Sequence, residues 1–178
     1  LLIPDSFKGS MSAEQVAHIM KTCVKKVFPE SNCLSMPFSD GGEGALWVLK
    51  NHVKGNEKIV TVTDALQRPI KAPYFCFDDQ KSVWIELSQT AGLLDIAPEE
   101  RNPLETTTWG TGKMILNALD QGYRKIYLGI GGSSTHDFGS GIISALNGFF
   151  LDGKNNKLRL GGGFILDLNR IDLSNVDP

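Results

Sequence analysis

Cysteine is scarce in this sequence, whose 178 residues include only Cys23, Cys33 and Cys76. The three form neither a C-x-x-C pair nor a dense disulfide pattern, which excludes a small disulfide-stabilised scaffold. Cys23 falls on the apolar face of a predicted helix, and we expect it to be a small core residue.

An excess of positive charge is also missing. Lys and Arg number 18 against 20 Asp and Glu, for a formal net charge of −2. Without a basic stripe, a nucleic-acid partner is not expected. No apolar run approaches the length of a membrane span and no signal sequence opens the chain, so we expect no membrane association and a cytoplasmic location.

Glycine, by contrast, is abundant, with 19 residues that are often clustered. Apolar residues make up 41% of the sequence and charged residues 21%, which is enough to build a globular core. Clustered glycine marks places where the backbone turns sharply or approaches a ligand closely. We therefore expect the ligand-binding residues to lie in the glycine-rich segments.

The first third of the chain predicts βαβ units. The first three residues are expected to end a strand, and a helix is expected from Ser12, with Gln15 as its capping-box partner, to a stop at Pro29. A strand at Leu34–Phe38 and a helix at Ala45–Val53 follow, and this order favours a parallel sheet. Helical spacing predicts one buried face on the first helix, made of Val16, Ile19, Met20, Cys23 and Val27.

From Ile59 onward, short β-rich runs are more typical of a mixed or antiparallel sheet. We therefore expect a domain boundary near Asp64, with residues 1–63 in one domain and residues 64–178 in a second. Gly122 is expected to end a helix at its C′ position. The elements predicted in this part are strands at Ile59–Thr63, Tyr74–Phe77, Val83–Leu87 and Lys125–Ile130, and helices at Thr111–Gln121 and Ile142–Leu146.

Four clusters could carry chemistry. The first, Asp5-Ser6-Phe7-Lys8, lies at the mouth of the first strand, where ligands of open α/β sheets collect. Its acid, hydroxyl and lysine could bind a metal, a phosphate or an acidic substrate. A solvated loop that caps the next helix would have the same composition.

The second cluster, Asp40-Gly41-Gly42-Glu43-Gly44, follows a strand and opens a helix. Its glycines let backbone N–H groups face an anion, whereas its two carboxylates suit Mg²⁺ or a proton taken from a substrate hydroxyl. The structural alternative is a capping box, with Asp40 as N-cap and Glu43 at N3. Such a cap explains the two acids but not three glycines in one turn.

The third cluster, residues 106–113, reads Thr-Thr-Thr-Trp-Gly-Thr-Gly-Lys and fails as a P-loop. Thr107 stands where the pattern needs Gly, and Met114 stands where it needs Ser or Thr. The segment is instead a hydroxyl-rich loop that leads into a helix. Such a loop can bind phosphate or carboxylate, and it can equally be ordinary helix capping.

The fourth cluster spans residues 129–141, between a strand and a helix. Three hydroxyl side chains follow Gly-x-Gly-Gly, and then come His136, Asp137 and two more glycines. A dinucleotide fingerprint is excluded because Ser134 stands at its third glycine. So many donors favour a cradle for phosphate or another small anion. For His136, a turn residue is favoured over a cation or a base.

Taken in order, these clusters resemble the glycerate kinases of the first, mostly bacterial type. The likeness covers essentially the whole chain, and four spaced motifs in order are more specific than any one alone. It is carried by Pro4-Asp5-Ser6-Phe7-Lys8-Gly9-Ser10, Ser12-Ala13, Asp40-Gly41-Gly42-Glu43-Gly44, Thr107-Thr108, Gly110-Thr111-Gly112, Gly129-Ile130-Gly131-Gly132-Ser133, Asp137 and Gly161-Gly162-Gly163.

The resemblance implies ATP-dependent phosphorylation of glycerate, with Mg²⁺ accompanying the nucleotide and the 2-hydroxyl favoured over the 3-hydroxyl. It also implies an α/β architecture of two domains. A Rossmann-like parallel-sheet domain, incomplete here, is interrupted by an inserted mixed α/β domain, and the chain is expected to continue beyond Pro178. The oligomeric state stays open, with a homo-oligomer among the options.

On this resemblance, Lys8 is the predicted cation for phosphate or carboxylate, and Asp137 is a second catalytic acid. Asp40 is predicted to bind Mg²⁺ or to take the hydroxyl proton, and Glu43 to share the metal. The predicted substrate- and nucleotide-binding residues are Asp5, Ser6, Gly41, Gly42, Glu43, Thr107, Thr108, Gly110, Thr111, Gly131, Gly132 and Ser133.

Two departures from the family pattern are His136 and Phe138, where Asn and Gly are usual. Phe in place of Gly avoids strain only if the φ angle there is negative. A second function class also stays open, a non-catalytic module that binds a nucleotide or a small anion. A nicotinamide dehydrogenase is disfavoured by the failed dinucleotide fingerprint.

Overall fold

The computed structural model describes residues 1–79 and 81–176. The described residues begin with two helices followed by three strands, and helices and strands are mixed after that, as in a mixed α/β fold. The helices are α1 (Ala13–Val27), α2 (Ala45–His52), α3 (Ser88–Ala91), α4 (Trp109–Asp120) and α5 (Ser140–Ala145), with 3₁₀ turns at Pro98–Glu100 and Gly162–Asp167. The strands are β1 (Gly55–Thr63), β2 (Pro69–Phe77), β3 (Ser82–Glu86), β4 (Lys125–Gly129), β5 (Phe149–Leu151) and β6 (Arg170–Asp172).

The strands β1 to β4 form a mixed sheet in the order β1-β2-β3-β4. The pairs β1–β2 and β2–β3 are antiparallel, whereas β4 runs parallel to β3 with Glu86 opposite Gly129. The predicted mixed α/β fold is therefore confirmed. Gly122, at a φ of 90°, follows the C-cap of α4 as predicted. The two-stranded antiparallel sheet β5–β6 was not predicted, because three-residue strands are too short to show alternation.

The main hydrophobic core lies between the sheet and α4. Side chains alternate along β3, so that Val83 and Ile85 pack in one cluster with Met114 of α4. Trp84 and Glu86 lie on the opposite face, where α2 contacts the sheet. The loops that enter α2 and leave β4 meet on this second face.

The first residues and the segment Leu34–Phe38 run side by side in parallel, as predicted. They form a single bridge rather than a regular ladder, with the Leu2 N–H donating to the Leu34 carbonyl at 2.8 Å. The helix α1 connects them. Its predicted capping box is confirmed, because Ser12 and Gln15 each bond the other's backbone N–H through their side chains.

The predicted buried face of α1 is wrong. Val16 is buried, but Ile19, Met20, Cys23 and Val27 are exposed. Cys23 is therefore not a core residue. Helical periodicity identifies an apolar face but does not say what covers it, and within the described residues only the start of α1 is buried.

Asp64, the predicted domain boundary, lies in the turn between β1 and β2. Its side chain accepts hydrogen bonds from the backbone of Leu66 and Arg68, and the two strands pair along their whole length. The division into residues 1–63 and 64–178 stays a prediction. Among the described residues, no helix has both the length and the apolar character needed to cross a bilayer.

Met114→Ala is expected to lower the free energy of unfolding by about 2–5 kcal/mol, through lost apolar burial and the cavity left behind. Leu166→Ala is the control, because Leu166 is 91% exposed, and it should change stability by less than about 0.5 kcal/mol. Urea denaturation measures both. Equal losses in the two variants would contradict the core described for α4.

Candidate active site

The loop Asp5–Lys8 lies against the loop Asp40–Gly44. The backbone N–H of Asp40 donates to Asp5 Oδ2 at 3.2 Å, across 35 residues of sequence. Lys8 Nζ lies 3.7 Å from Asp40 Oδ2, and both side chains are largely exposed. The first two predicted clusters therefore share one surface that carries acids and a cation.

The capping-box alternative for Asp40 and Glu43 is wrong. The helix α2 begins at Ala45, and its N-cap is Gly44 at a φ of 91°. Asp40 Oδ1 accepts instead from the N–H of Gly42 at 2.9 Å. Glu43 is exposed, and within the described residues its carboxylate makes no hydrogen bond or ion pair. The Glu43 carboxylate and the outer oxygen of Asp40 are therefore accessible to a ligand.

Most backbone N–H groups of this loop already have acceptors in the protein. Gly41 donates to Ser39 Oγ at 3.2 Å. Gly44 and Leu46 donate to the carboxylate of Glu86, at 3.1 and 2.9 Å. These amides are not free to cradle an anion, which favours the loop as a source of carboxylates over the loop as a phosphate-binding turn.

The second and fourth clusters touch backbone to backbone. A Cβ atom on Gly131 would lie 2.5 Å from the Cα of Gly42, and a Cβ atom on Gly129 would lie 2.3 Å from the carbonyl oxygen of Gly41. Real Cβ atoms do not approach other atoms so closely, so a side chain at either position would force the backbones apart. The two turns therefore lie in direct backbone contact.

The turn Gly131-Gly132-Ser133 keeps its backbone donors free. Its three N–H groups donate to none of the described residues, and Gly132 has a left-handed φ of 74°. The Gly132 carbonyl accepts from the Leu93 N–H at 2.9 Å, which fixes the turn. The Ser133 hydroxyl is used locally, on the Thr135 carbonyl. The turn thus offers backbone amides to an anion.

Two cavities beside these turns share Lys8 and Glu43. One has a volume of ≈ 320 Å³, near the lower end for small-ligand sites. The other, of ≈ 280 Å³, lies on the α1 side. The first is also lined by Ser88, Gln89, Gly92, Leu93, Leu94, Asp95 and Gly132. The second also includes Asp5, Ser6, Phe7, Phe38, Gly44 and Trp47.

Asp137 is buried and lines neither cavity. Its side chain is 1% exposed and accepts hydrogen bonds of 2.7 to 3.2 Å from Thr107, Thr108, Gly139 and Gly141. Thr108 is the N-cap residue of α4 and Gly139 that of α5, so one buried carboxylate serves two helix N-termini. In this structure Asp137 is enclosed by the protein rather than open to substrate.

The other residues of the third cluster are similarly enclosed. Thr107 and Thr111 are fully buried, and the Thr111 hydroxyl bonds that of Thr90 at 2.6 Å. Gly110 lies so close to the Thr63 carbonyl that a Cβ atom would overlap it. The structure does not bring these residues to either cavity, and their contact with substrate stays a prediction.

His136 and Phe138 flank Asp137 at the surface. Both are exposed, and Phe138, at 88% exposed, has a φ of 54°. The departure from Gly therefore places a bulky side chain in the left-handed region, at a cost of about 1–3 kcal/mol.

Asp40 and Glu43 are the residues that could hold a divalent cation. Mg²⁺ prefers oxygen ligands and is commonly held by one or two carboxylates together with substrate phosphates. Within the described part of the chain, no group of three or more His, Cys, Asp or Glu side chains comes together. Asp40 and Glu43 are two exposed carboxylates and could supply two ligands to a cation whose other ligands come from a bound substrate.

The sequence argument missed Glu86, the last residue of β3. Its side chain is 1% exposed, and besides Gly44 and Leu46 it accepts from Ser88 Oγ at 2.7 Å. An acid at the carboxyl end of an apolar strand was the available signal, since α/β sites collect there. The alternation around it predicts a strand but does not single out the acid.

Comparison with known proteins identifies relatives along the whole chain. Residues 1–178 match the model of the glycerate kinase family. The chain is 40% identical to a glycerate kinase of Halalkalibacterium halodurans and 38% identical to a glycerate 2-kinase of Escherichia coli strain K12. Each match covers 100% of this chain and 47% of the relative, so the chain spans about half their length. A crystal structure of a candidate glycerate kinase 2 from Salmonella typhimurium LT2 matches with a TM-score of 0.78 and 38% identity, over 99% of this chain and 47% of that one.

Asp137→Asn is expected to lower the free energy of unfolding by about 2–4 kcal/mol, because an amide cannot accept all the buried donors at two helix N-termini. Asp120→Asn is the control, since Asp120 is exposed at the other end of α4, and it should shift stability by less than about 0.5 kcal/mol. Urea denaturation measures both variants. A fully stable Asp137→Asn protein would contradict the capping role.

Proposed function

The chain belongs to the glycerate kinase family, and on that basis we propose that it supplies the ligand-binding loops of an enzyme that moves the γ-phosphoryl group of ATP to a hydroxyl of glycerate. The observation that carries this proposal is the contact between Gly42 and Gly131. It sets exposed carboxylates beside free amides and a lysine, which are the groups that phosphoryl transfer requires.

The free N–H groups of Gly131, Gly132 and Ser133 are suited to the anionic side of the reaction. Phosphate oxygens and the glycerate carboxylate both accept hydrogen bonds from backbone amides. Lys8, which lines both cavities, adds a positive charge next to that turn. Amides and lysine together can stabilise the charge that develops on the transferred group.

The carboxylates of Asp40 and Glu43 are suited to the other two requirements, a cation and a proton acceptor. Bound Mg²⁺ would neutralise charge on the phosphate oxygens. When the glycerate hydroxyl oxygen bonds the γ-phosphorus, the bond to the ADP oxygen breaks and the hydroxyl proton needs an acceptor. Glu43 fits the second role because its carboxylate has no partner among the described residues.

Asp137 and the buried threonines contribute indirectly on this proposal. Their hydrogen bonds fix the N-termini of α4 and α5 to the far end of the loop that begins at Gly129. A rigid loop keeps its free amides in place for the reaction. We therefore assign Asp137 a positioning role rather than direct contact with substrate.

The 2-hydroxyl of glycerate is the proposed acceptor. The family resemblance favours it, and the Escherichia coli relative is named a glycerate 2-kinase. A cytoplasmic location and the oligomeric state stay predictions from the sequence.

A second candidate is a module that binds nucleotide or a small anion without catalysis. The observation in its favour is that the chain spans 47% of its relatives. The 178-residue chain is incubated with ATP, Mg²⁺ and glycerate, and ADP is measured by a coupled assay. Ligand binding without ADP release would support the second candidate for this length of chain.

Lys8→Ala and Glu43→Gln are each expected to lower kcat/KM about a hundredfold or more, because each removes a group that acts on developing charge. The protein is a kinase of full family length that carries these 178 residues, and ADP release is the readout. Lys21→Ala and Glu30→Gln, both on exposed residues, are the matched controls and should stay within about twofold. Normal turnover in both test variants would refute the assigned roles but not the family.

The product of the same enzyme is expected to be 2-phosphoglycerate. Proton-coupled ³¹P NMR distinguishes a phosphate on C2, which couples to a single proton, from one on C3, which couples to two. A doublet is expected. A triplet would show that the acceptor is the 3-hydroxyl and would refute the preference for position 2.

A further inference from the structure

We propose that Glu86 is a positioning residue that holds the loop Asp40–Gly44 in its working geometry, and this inference rests on the function proposed above. Its Oε1 accepts from the Gly44 N–H at 3.1 Å and its Oε2 from the Leu46 N–H at 2.9 Å. The bonds join residues 42 and 40 positions apart in sequence. They tie the acidic loop directly to the end of β3.

Glu86 takes the place of the N-cap side chain that α2 lacks. Gly44 is the N-cap and has no side chain to offer. The first N–H groups of a helix have no partner inside the helix and carry partial positive charge. A carboxylate from β3 satisfies the Gly44 and Leu46 N–H groups with charge-assisted bonds. Because Glu86 caps the helix, Asp40 and Glu43 are left for ligands.

Ser88 and Trp84 add two further contacts at this point, Ser88 to the Glu86 carboxylate and Trp84 to the two glycine turns. Ser88 Oγ donates to Glu86 Oε1 at 2.7 Å and restrains the carboxylate. Trp84, two residues before Glu86 and so on the same face of β3, lies against Gly41 and Gly129. Glu86 thus lies at the point where the turn at Gly41–Gly44 and the turn that begins at Gly129 both contact the sheet.

Loss of this carboxylate should displace Glu43 and Asp40 without removing either. Phosphoryl transfer depends on positioning, and a displacement of about 1 Å can cost about a hundredfold in rate. We therefore expect Glu86→Gln to lower kcat by about tenfold to a hundredfold. The KM values for ATP and glycerate should change by less than about threefold, because the side chains that line the cavities remain.

Amide hydrogen exchange tests whether Glu86 holds the loop, and it needs no measurement of enzyme activity. In ligand-free kinase of full family length, Glu86→Gln is expected to speed exchange at the N–H groups of Gly44 and Leu46 by about tenfold or more. Exchange in α4 should stay unchanged. Unchanged protection at Gly44 and Leu46 would overturn the proposal. If Glu86→Gln does not fold, Ser88→Ala decides in the same way, with a smaller acceleration expected at the same two sites.

The measurement of kcat distinguishes a positioning role of Glu86 from a general loss of protein stability. Tyr74→Phe is the control, because it removes a part-buried hydrogen bond of 3.0 Å to Asn117, on the face of the sheet that packs against α4. Both variants are assayed well below their melting temperatures. A fall in kcat confined to Glu86→Gln supports the proposal, and equal falls overturn it. Wild-type protein without kinase activity would defeat the proposed function, while the exchange measurement would still decide the role of Glu86.

Discussion

The backbone contact between Gly42 and Gly131 is the constraint on which the candidate site depends. Segments roughly ninety residues apart in sequence meet where a Cβ atom would force them apart. Glu43 from one turn and Gly132 from the other therefore line the same cavity. Each turn follows the carboxyl end of a parallel-paired segment, which is where ligand sites of α/β proteins form.

Features encoded by nearby residues could be predicted from the sequence. The capping box of Ser12 and Gln15, the glycine that ends α4 and the mixed sheet all depend on local patterns, and all are confirmed. Which residues cover α1 and which side chain caps α2 depend on residues that are distant in sequence. Periodicity shows that a face is apolar, and a glycine shows that a turn is sharp, but neither identifies what lies opposite.

The acids of the site illustrate the same limit. Asp40, Glu43, Glu86 and Asp137 all stand near glycine turns, yet Glu86 and Asp137 are enclosed by N–H and hydroxyl donors while the other two face solvent. Sequence position alone ranked Asp137 with the solvent-facing pair and passed over Glu86. What separates the two kinds of acid is the number of donors that the fold brings to each carboxylate.

The hydrogen bonds of Asp137 also bear on how the molecule can move. They bind the start of α4 and the start of α5 to one carboxylate. Shifting either helix would therefore leave buried N–H groups without an acceptor. The two helix starts should therefore move together as one rigid unit. Lys8 and Glu43, by contrast, line both cavities with exposed side chains. Rotation of the Lys8 and Glu43 side chains, rather than movement of the backbone that Glu86 and Asp137 hold, would then adjust the site to a bound ligand.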